Sequence, residues 1–301
     1  MQSIYAMHQN GSDNLEKMEK FLLQSIDNVQ DLYLIMLSAM VELRAKEIEF
    51  LEKSSRKHLA TAQERNPNRR FVDNAVLVKL ANDNSLLEAL ERRKINNWQR
   101  NDDYILIMLA AVKESAVYEE YMALPSTDYA RDREFAVDMF TEIIAPNEKL
   151  YDYLEDHKLT WIDDIPLVNT LIAKQLRQLG SESGVEIPAL YKDPEDRDFV
   201  RELFRKTLLN EPQLAAHYVD KTPNWDTERI AEIDTIILKM AICEFLKFPS
   251  IPVKVTINEY LEIAKEYSTP KSSIFINGIL DGLVKEFQAA GTLNKAGRGL
   301  M

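Results

Sequence analysis

Three stretches near the end of the chain decide its fold: Ile237-Leu238-Lys239-Met240-Ala241-Ile242-Cys243-Glu244-Phe245, Ile251-Pro252-Val253-Lys254-Val255-Thr256-Ile257-Asn258-Glu259 and Phe275-Ile276-Asn277-Gly278-Ile279-Leu280-Asp281. Around the first, Ile230, Ile233, Ile236, Ile237, Met240, Ala241 and Phe245 recur at three- and four-residue steps, the period of a helix with one buried stripe. Trp225-Asp226-Thr227-Glu228-Arg229 supplies its start, with Asp226 or Thr227 as N-cap. Pro249 and Pro252 bracket a turn. A second helix is expected from about Lys254 to Tyr267, with Ile257, Leu261 and Ala264 inward, ended by Ser268-Thr269-Pro270. Ser272 or Ser273 is expected to cap a third, buried through Phe275, Ile276, Ile279, Leu280, Leu283, Val284 and Phe287. The tail from Gly291 to Met301 is rich in Gly, Lys and Arg and is expected to be flexible.

The same period extends upstream. Ile4, Met7 and the run from Leu15 to Glu52 read as helix, separated by Asn10-Gly11-Ser12-Asp13. Asn66-Pro67-Asn68 marks a turn, and a second helical stretch is expected from about Asn84 to Glu120, broken by Pro125-Ser126. A repeat follows. Asp132, Arg133, Phe135, Phe140, Leu150, Asp156 and Trp161 meet Asp196, Arg197, Phe199, Phe204, Leu214, Asp220 and Trp225 at one constant offset, without a gap. The reading is a duplicated helical packing unit, 132–161 and 196–225. No segment sustains period-two alternation and there are only 8 glycines, so the fold class expected is all-α.

Composition narrows the function. The net charge of -12 repels phosphate on average, so any nucleic-acid contact has to be local. Cys243 is the one cysteine, which excludes an intramolecular disulfide; between Ile242 and Glu244 it reads as a small hydrophobe. His8, His58, His157 and His217 lie at no metal-ligand spacing, and no phosphate-cradling glycine loop, nucleophile elbow or metalloprotease motif is present. The expectation is a protein that is not an enzyme and uses no cofactor or metal. With no signal peptide and no run of 18 apolar residues, it is expected to be soluble and cytoplasmic, without a membrane partner. Asn277-Gly278 within a helix reads first as close packing at glycine and second as an RNA-facing backbone. Phe275 reads as a core residue or a base-stacking platform. Lys254, Lys265, Lys271 and Lys285 supply local positive charge.

The three opening stretches, with Ala264-Lys265, resemble the C-terminal helices of the NusB family, continuously from about Asp196 to Phe287. Phe199, Phe204, Trp225 and Glu228-Arg229 fit the same pattern, and Ile4-Tyr5 followed by Gln9 is similar to the close of the family's first helix. That helix opens in the family with an arginine-rich segment, and this sequence begins where the segment would end; the expectation is an altered start or a protein lacking that basic element. The resemblance implies a two-subdomain helical bundle: an enlarged N-terminal subdomain over 1–224, a C-terminal subdomain over 225–290 and the flexible tail 291–301. It implies transcription antitermination, with recognition of a boxA-like single-stranded RNA together with NusE, a ribosomal small-subunit protein, on the transcription elongation complex. By position in the family pattern, Tyr5, Lys271 and Phe275 would face RNA with Lys254 adding charge, and Tyr5, Glu228 and Asp234 would lie near NusE. The rival reading is a protein-interaction adaptor of the same fold that has lost RNA binding. The acidic charge and the absent arginine segment speak for it.

Overall fold

The computed structural model describes residues 1–221 and 231–296, and every regular element among them is helical. In chain order these are α1 (Gln2–Gln9), α2 (Leu15–Ser55), α3 (Ala62–Arg65), α4 (Ala75–Asn82), α5 (Asn84–Arg93), α6 (Asn97–Arg100), α7 (Asp102–Glu114), α8 (Ala116–Ala123), α9 (Tyr129–Asp138), α10 (Glu148–His157) and α11 (Ile165–Gln178). Then come α12 (Pro194–Leu209), α13 (Glu211–Ala216), α14 (Glu232–Lys247), α15 (Val253–Tyr267) and α16 (Ser272–Ala289). A π-helical turn, Met139–Ile144, continues α9.

The chain divides into two compact units, residues 25–190 and residues 1–24 with 191–301, rather than at the 224/225 boundary read from the sequence. Each unit is built round one helix buried on all sides. In 25–190 it is the middle of α2, where Leu32, Tyr33, Leu34, Ile35, Met36, Leu37, Ala39, Met40 and Leu43 are all buried. A helix apolar around its whole circumference has to be enclosed. Here the partners include Phe71, Leu80, Phe140, Trp161 and Ile172. The indoles are fixed by their polar edges: Trp98 Nε1 donates to the Ile35 carbonyl at 3.0 Å and Trp161 Nε1 to the Asn28 carbonyl at 2.9 Å. A buried indole N–H needs such an acceptor.

The stretch 84–120, read as one helix, is four. Lys94 ends α5 in the left-handed conformation at φ 56°. Asn101 Nδ2 takes the Asn97 carbonyl at 2.7 Å, and Ser115 Oγ takes the Val112 carbonyl at 2.6 Å while capping Tyr118 N. Short polar side chains thus divert backbone groups that a continuous helix would have used.

In the other unit the enclosed helix is α14, with Ile236, Ile237, Leu238, Ala241, Ile242 and Cys243 fully buried. Ile4 and Met7 of α1, Phe204 of α12, Leu214 of α13 and Ile276, Leu280 and Leu283 of α16 pack in the same core. α15 and α16 pack against each other and against α14. Burial pushes the Cys243 thiol up, consistent with a packing role. Two end effects differ from expectation. Neither Ser272 nor Ser273 caps α16: its N-cap is Lys271, and the Ser272 hydroxyl is used elsewhere. The tail is held as far as Ala296: Lys295 Nζ donates to the carbonyls of Glu244 and Phe248 at 3.0 and 2.9 Å, and Ala296 N to the Pro249 carbonyl at 2.9 Å. A lysine placed on the last carbonyls of a helix satisfies acceptors that have no partner within it.

The two repeat copies fall in different units. Helical turns run over 129–144 in one and 194–209 in the other, and Phe140 and Phe204 are both buried, as are Leu150 and Leu214. Asp132 is buried, accepting from Ala75 N and the Tyr121 hydroxyl at 2.7 Å each, whereas Asp196 lies in an exposed capping box. Trp225, the closing residue of the second copy, lies outside the described residues, as do Asp226, Thr227, Glu228 and Ile230.

Candidate nucleic-acid interface

The expected site residues that are described all belong to the unit built on α14. Tyr5 is 36% exposed, while its neighbours Ile4 and Met7 are buried. Successive helix positions differ by 100°, so seating Ile4 and Met7 turns Tyr5 outward. The end of α1 is also fixed. His8 lies with Nε2 2.9 Å from Glu211 Oε1 and Nδ1 3.2 Å from Glu232 Oε1, and Gln9 donates to Glu232 Oε2. An eight-residue helix is marginal in water by itself, so these contacts with α13 and α14 hold it in place.

Along α16 the outward positions are Lys271, Ile274, Gly278, Asp281 and Lys285, at three- and four-residue steps. Ile274 is 75% exposed, and Phe275 is half-buried, packing against the core of this unit. The glycine of Asn277-Gly278 is not there for close packing. A Cβ built on Gly278 meets nothing within 4 Å, and the same is true of Gly282 one turn later. The helix backbone is therefore bare over two turns beside the half-buried phenyl ring. Neither Ile274 nor Gly282 was singled out from the sequence. Ile274 breaks the apolar spacing by standing off the stripe through Ile276, Ile279, Leu280 and Leu283, and that was the available signal.

Lys271 lies at the turn joining α15 to α16, whereas Lys254 starts α15 at its other end. Fifteen residues of helix put the two ends about 20 Å apart, so the two lysines do not share a cluster.

Asp234, expected near a partner, is 5% exposed. Its Oδ1 accepts from the Ser268 hydroxyl at 2.6 Å and its Oδ2 from the Ser272 hydroxyl at 2.8 Å; Ser272 also lies 2.9 Å from Ser268 Oγ and 2.8 Å from Thr269 Oγ1. This carboxylate ties α14 to the turn that presents Lys271 and offers no open oxygen to a partner. Position in the family pattern led to the expectation of Asp234 near NusE; here both of its oxygens are engaged by hydroxyls of the same unit. A second buried carboxylate, Glu244, accepts from Thr256 Oγ1 at 2.6 Å and from the Tyr260 hydroxyl at 3.2 Å. Burial pushes its carboxyl up, against the pull of those two hydrogen bonds. Among the described residues no group of acids, histidines or cysteine could hold a metal ion, and no helix is long and apolar enough to cross a membrane.

The NusB family model matches residues 167–285, which includes all of α12 to α15 and most of α16. Three curated relatives are named transcription antitermination protein NusB. The Salinibacter ruber protein is 44% identical over 117 residues, 39% of this chain and 72% of that protein. Those of Chloroherpeton thalassium and Clostridium kluyveri are each 41% identical, over 109 and 91 residues. They cover 36% and 30% of this chain, which spans 52% and 58% of their lengths. A solved structure of T. maritima NusB aligns with 38% of this chain and 75% of its own at 31% identity, with a TM-score of 0.30.

Proposed function

Because the chain belongs to the NusB family, we propose that it acts in transcription antitermination, binding a boxA-like single-stranded RNA together with NusE on the transcription elongation complex. The observation that carries this reading is the outer face of α16, where a half-buried phenyl ring, a lysine and two bare glycine turns lie side by side in the segment matched to the family. Single-stranded RNA is recognised by stacking of splayed bases and by contacts to base edges, with basic groups on phosphates. Phe275 supplies the stacking edge and Lys271 the phosphate contact. Gly278 and Gly282 allow the strand to approach the backbone, since no Cβ stands in its way. Tyr5 joins them from α1, Lys254 adds longer-range positive charge, and Glu228 with Tyr5 serves NusE.

The net charge of -12 favours the rival, an adaptor that binds protein alone. A titration separates the two. Phe275→Ala is expected to weaken RNA binding by about 1–3 kcal/mol when the ring stacks on a base, with NusE binding kept. Absence of RNA binding by the parent chain, even with NusE present, hands the case to the adaptor.

A further inference from the structure

A cation-rich stretch of this acidic chain lies far in sequence from the family segment. Residues 53–70 carry six Lys or Arg (Lys53, Arg56, Lys57, Arg65, Arg69, Arg70) and one acid, Glu64, in a chain of net charge -12. They follow the end of α2 and run through α3 to the turn before α4. This stretch is a fixed scaffold. Thr61 and Glu64 form a reciprocal capping box, and Lys57 Nζ reaches Glu64 at 3.0 Å. Asn68 Nδ2 donates to the Met122 carbonyl at 3.1 Å, and Arg70 Nη1 to the carbonyls of Tyr121 and Met122 at 3.2 and 2.7 Å. Arg70 is thus used up in holding the turn against the end of α8.

The remaining cations point to water. Arg56, Lys57, Arg65 and Arg69 are exposed. Where they meet carboxylates, those pairs are themselves exposed: Arg56 with Glu52 at 3.3 Å, Lys57 with Glu64, and Arg69 with Asp73 at 3.2 Å. Exposed pairs of this kind are weak and screened by salt. Among the described residues no carboxylate pairs with Arg65. The apolar Leu59, 87% exposed, stands among them.

We propose that Arg56, Lys57, Arg65 and Arg69 form a second RNA-contacting surface, one that holds the phosphate backbone of single-stranded RNA flanking the recognised element. It rests on the RNA-binding reading above and deepens it. On a protein whose average field repels RNA, an exposed basic surface is where a flanking strand would be retained. Contacts to phosphate position a strand without reading its sequence, so this surface adds affinity and salt dependence but no base preference.

The test compares a short boxA-like oligomer with the same element inside a longer unstructured strand, both with NusE, across a salt series. Each phosphate contact to a single strand adds about -0.7 to the slope of log affinity against log salt. Three to four contacts therefore give the long strand an extra slope of about -2 to -3, or an additional loss of about 15- to 60-fold between 50 and 200 mM salt. The combined substitution Arg56→Gln, Lys57→Gln, Arg65→Gln and Arg69→Gln is expected to remove that excess and leave the short oligomer unchanged. The pair Arg56→Gln with Arg65→Gln, which keeps the Lys57–Glu64 and Arg69–Asp73 contacts, is expected to remove about half of it. Equal slopes for the two strands in the parent chain overturn the proposal. So does competition by polyglutamate, but not by polyuridylate, for the labelled long strand, which would mark an acidic protein partner. Loss of short-oligomer binding alone, with the charge-dependent long-strand binding kept, sinks the proposed recognition of the boxA-like element and leaves this surface standing. Binding of neither strand sinks both.

Discussion

Replacing Asp234 by alanine separates a structural carboxylate from a partner contact. The side chain is 5% exposed and accepts the hydroxyls of Ser268 and Ser272. A hydrogen bond to a charged group contributes about 1.5–3 kcal/mol. Without the carboxylate Ser268 can donate to Ser272 Oγ at 2.9 Å and Ser272 to Thr269 Oγ1 at 2.8 Å, so two charge-assisted bonds are exchanged for neutral ones and neither hydroxyl donor is left unpaired. Removing an acid from the first turn of α14 costs a further ~0.3–1 kcal/mol. The expected destabilisation is about 2–4 kcal/mol, and for a unit of this size that lowers the melting temperature by roughly 10 °C. Asp234→Asn, which keeps the shape and one acceptor, should lose about half as much. Circular dichroism melts of the parent and both variants measure it, alongside a calorimetric titration with NusE. An unchanged melting temperature with weakened NusE binding would refute the reasoning and return Asp234 to the partner surface. Charge reversal at Asp234 is no clean probe of that surface, because it would place an unpaired cation in a buried site.

Three further outcomes follow from the same geometry. Burial raises the pKa of Glu244, so the folded state resists its charge; that cost is full above the raised value and absent below the ordinary carboxylate range. Glu244→Gln should therefore melt higher than the parent at about pH 8, with the gap closing towards about pH 4 in a pH-dependent melt. Burial alone would raise Glu19, but its hydrogen bonds to Arg201, at 2.8 Å, and Arg205 hold it below the usual range. The stabilisation is present above that range and lost as pH falls through it, so Glu19→Gln should be less stable than the parent near neutrality and the two should converge in acid. Lys295→Ala should free the carbonyls of Glu244 and Phe248 and cost about 1 kcal/mol, seen as faster amide exchange at the end of α14.

What could be read from the sequence was whatever repeats at short range. The stripes through α14 and α16, the prolines before α15 and the start of α2 at Leu15 follow from local period and turn chemistry. Asp234 did not, because its partners lie 34 and 38 residues away. The breaks at Lys94, Asn101 and Ser115 did not, because each depends on which side chain wins a backbone group. Gly278 stayed between two readings, with close packing placed first, because a glycine in an apolar helix signals close packing as readily as a bare backbone. The basic stretch 53–70 was visible as letters, but its exposure and the clamp at Arg70 were not.

The unit that contains α1 and α14 is interrupted by the whole of 25–190. During synthesis the intervening unit has its complete core as soon as residue 190 is free, and Ile4 and Met7 still have no Phe204, Ile236 or Leu280 to pack against. At about 5–20 residues per second, α1 waits for roughly 10–50 s before the end of α14 emerges. Eight residues cannot hold a helix alone for that time. The two terminal segments therefore mature last, and a nascent polypeptide halted between residue 190 and α16 carries a finished inserted unit but lacks the outer face of α16.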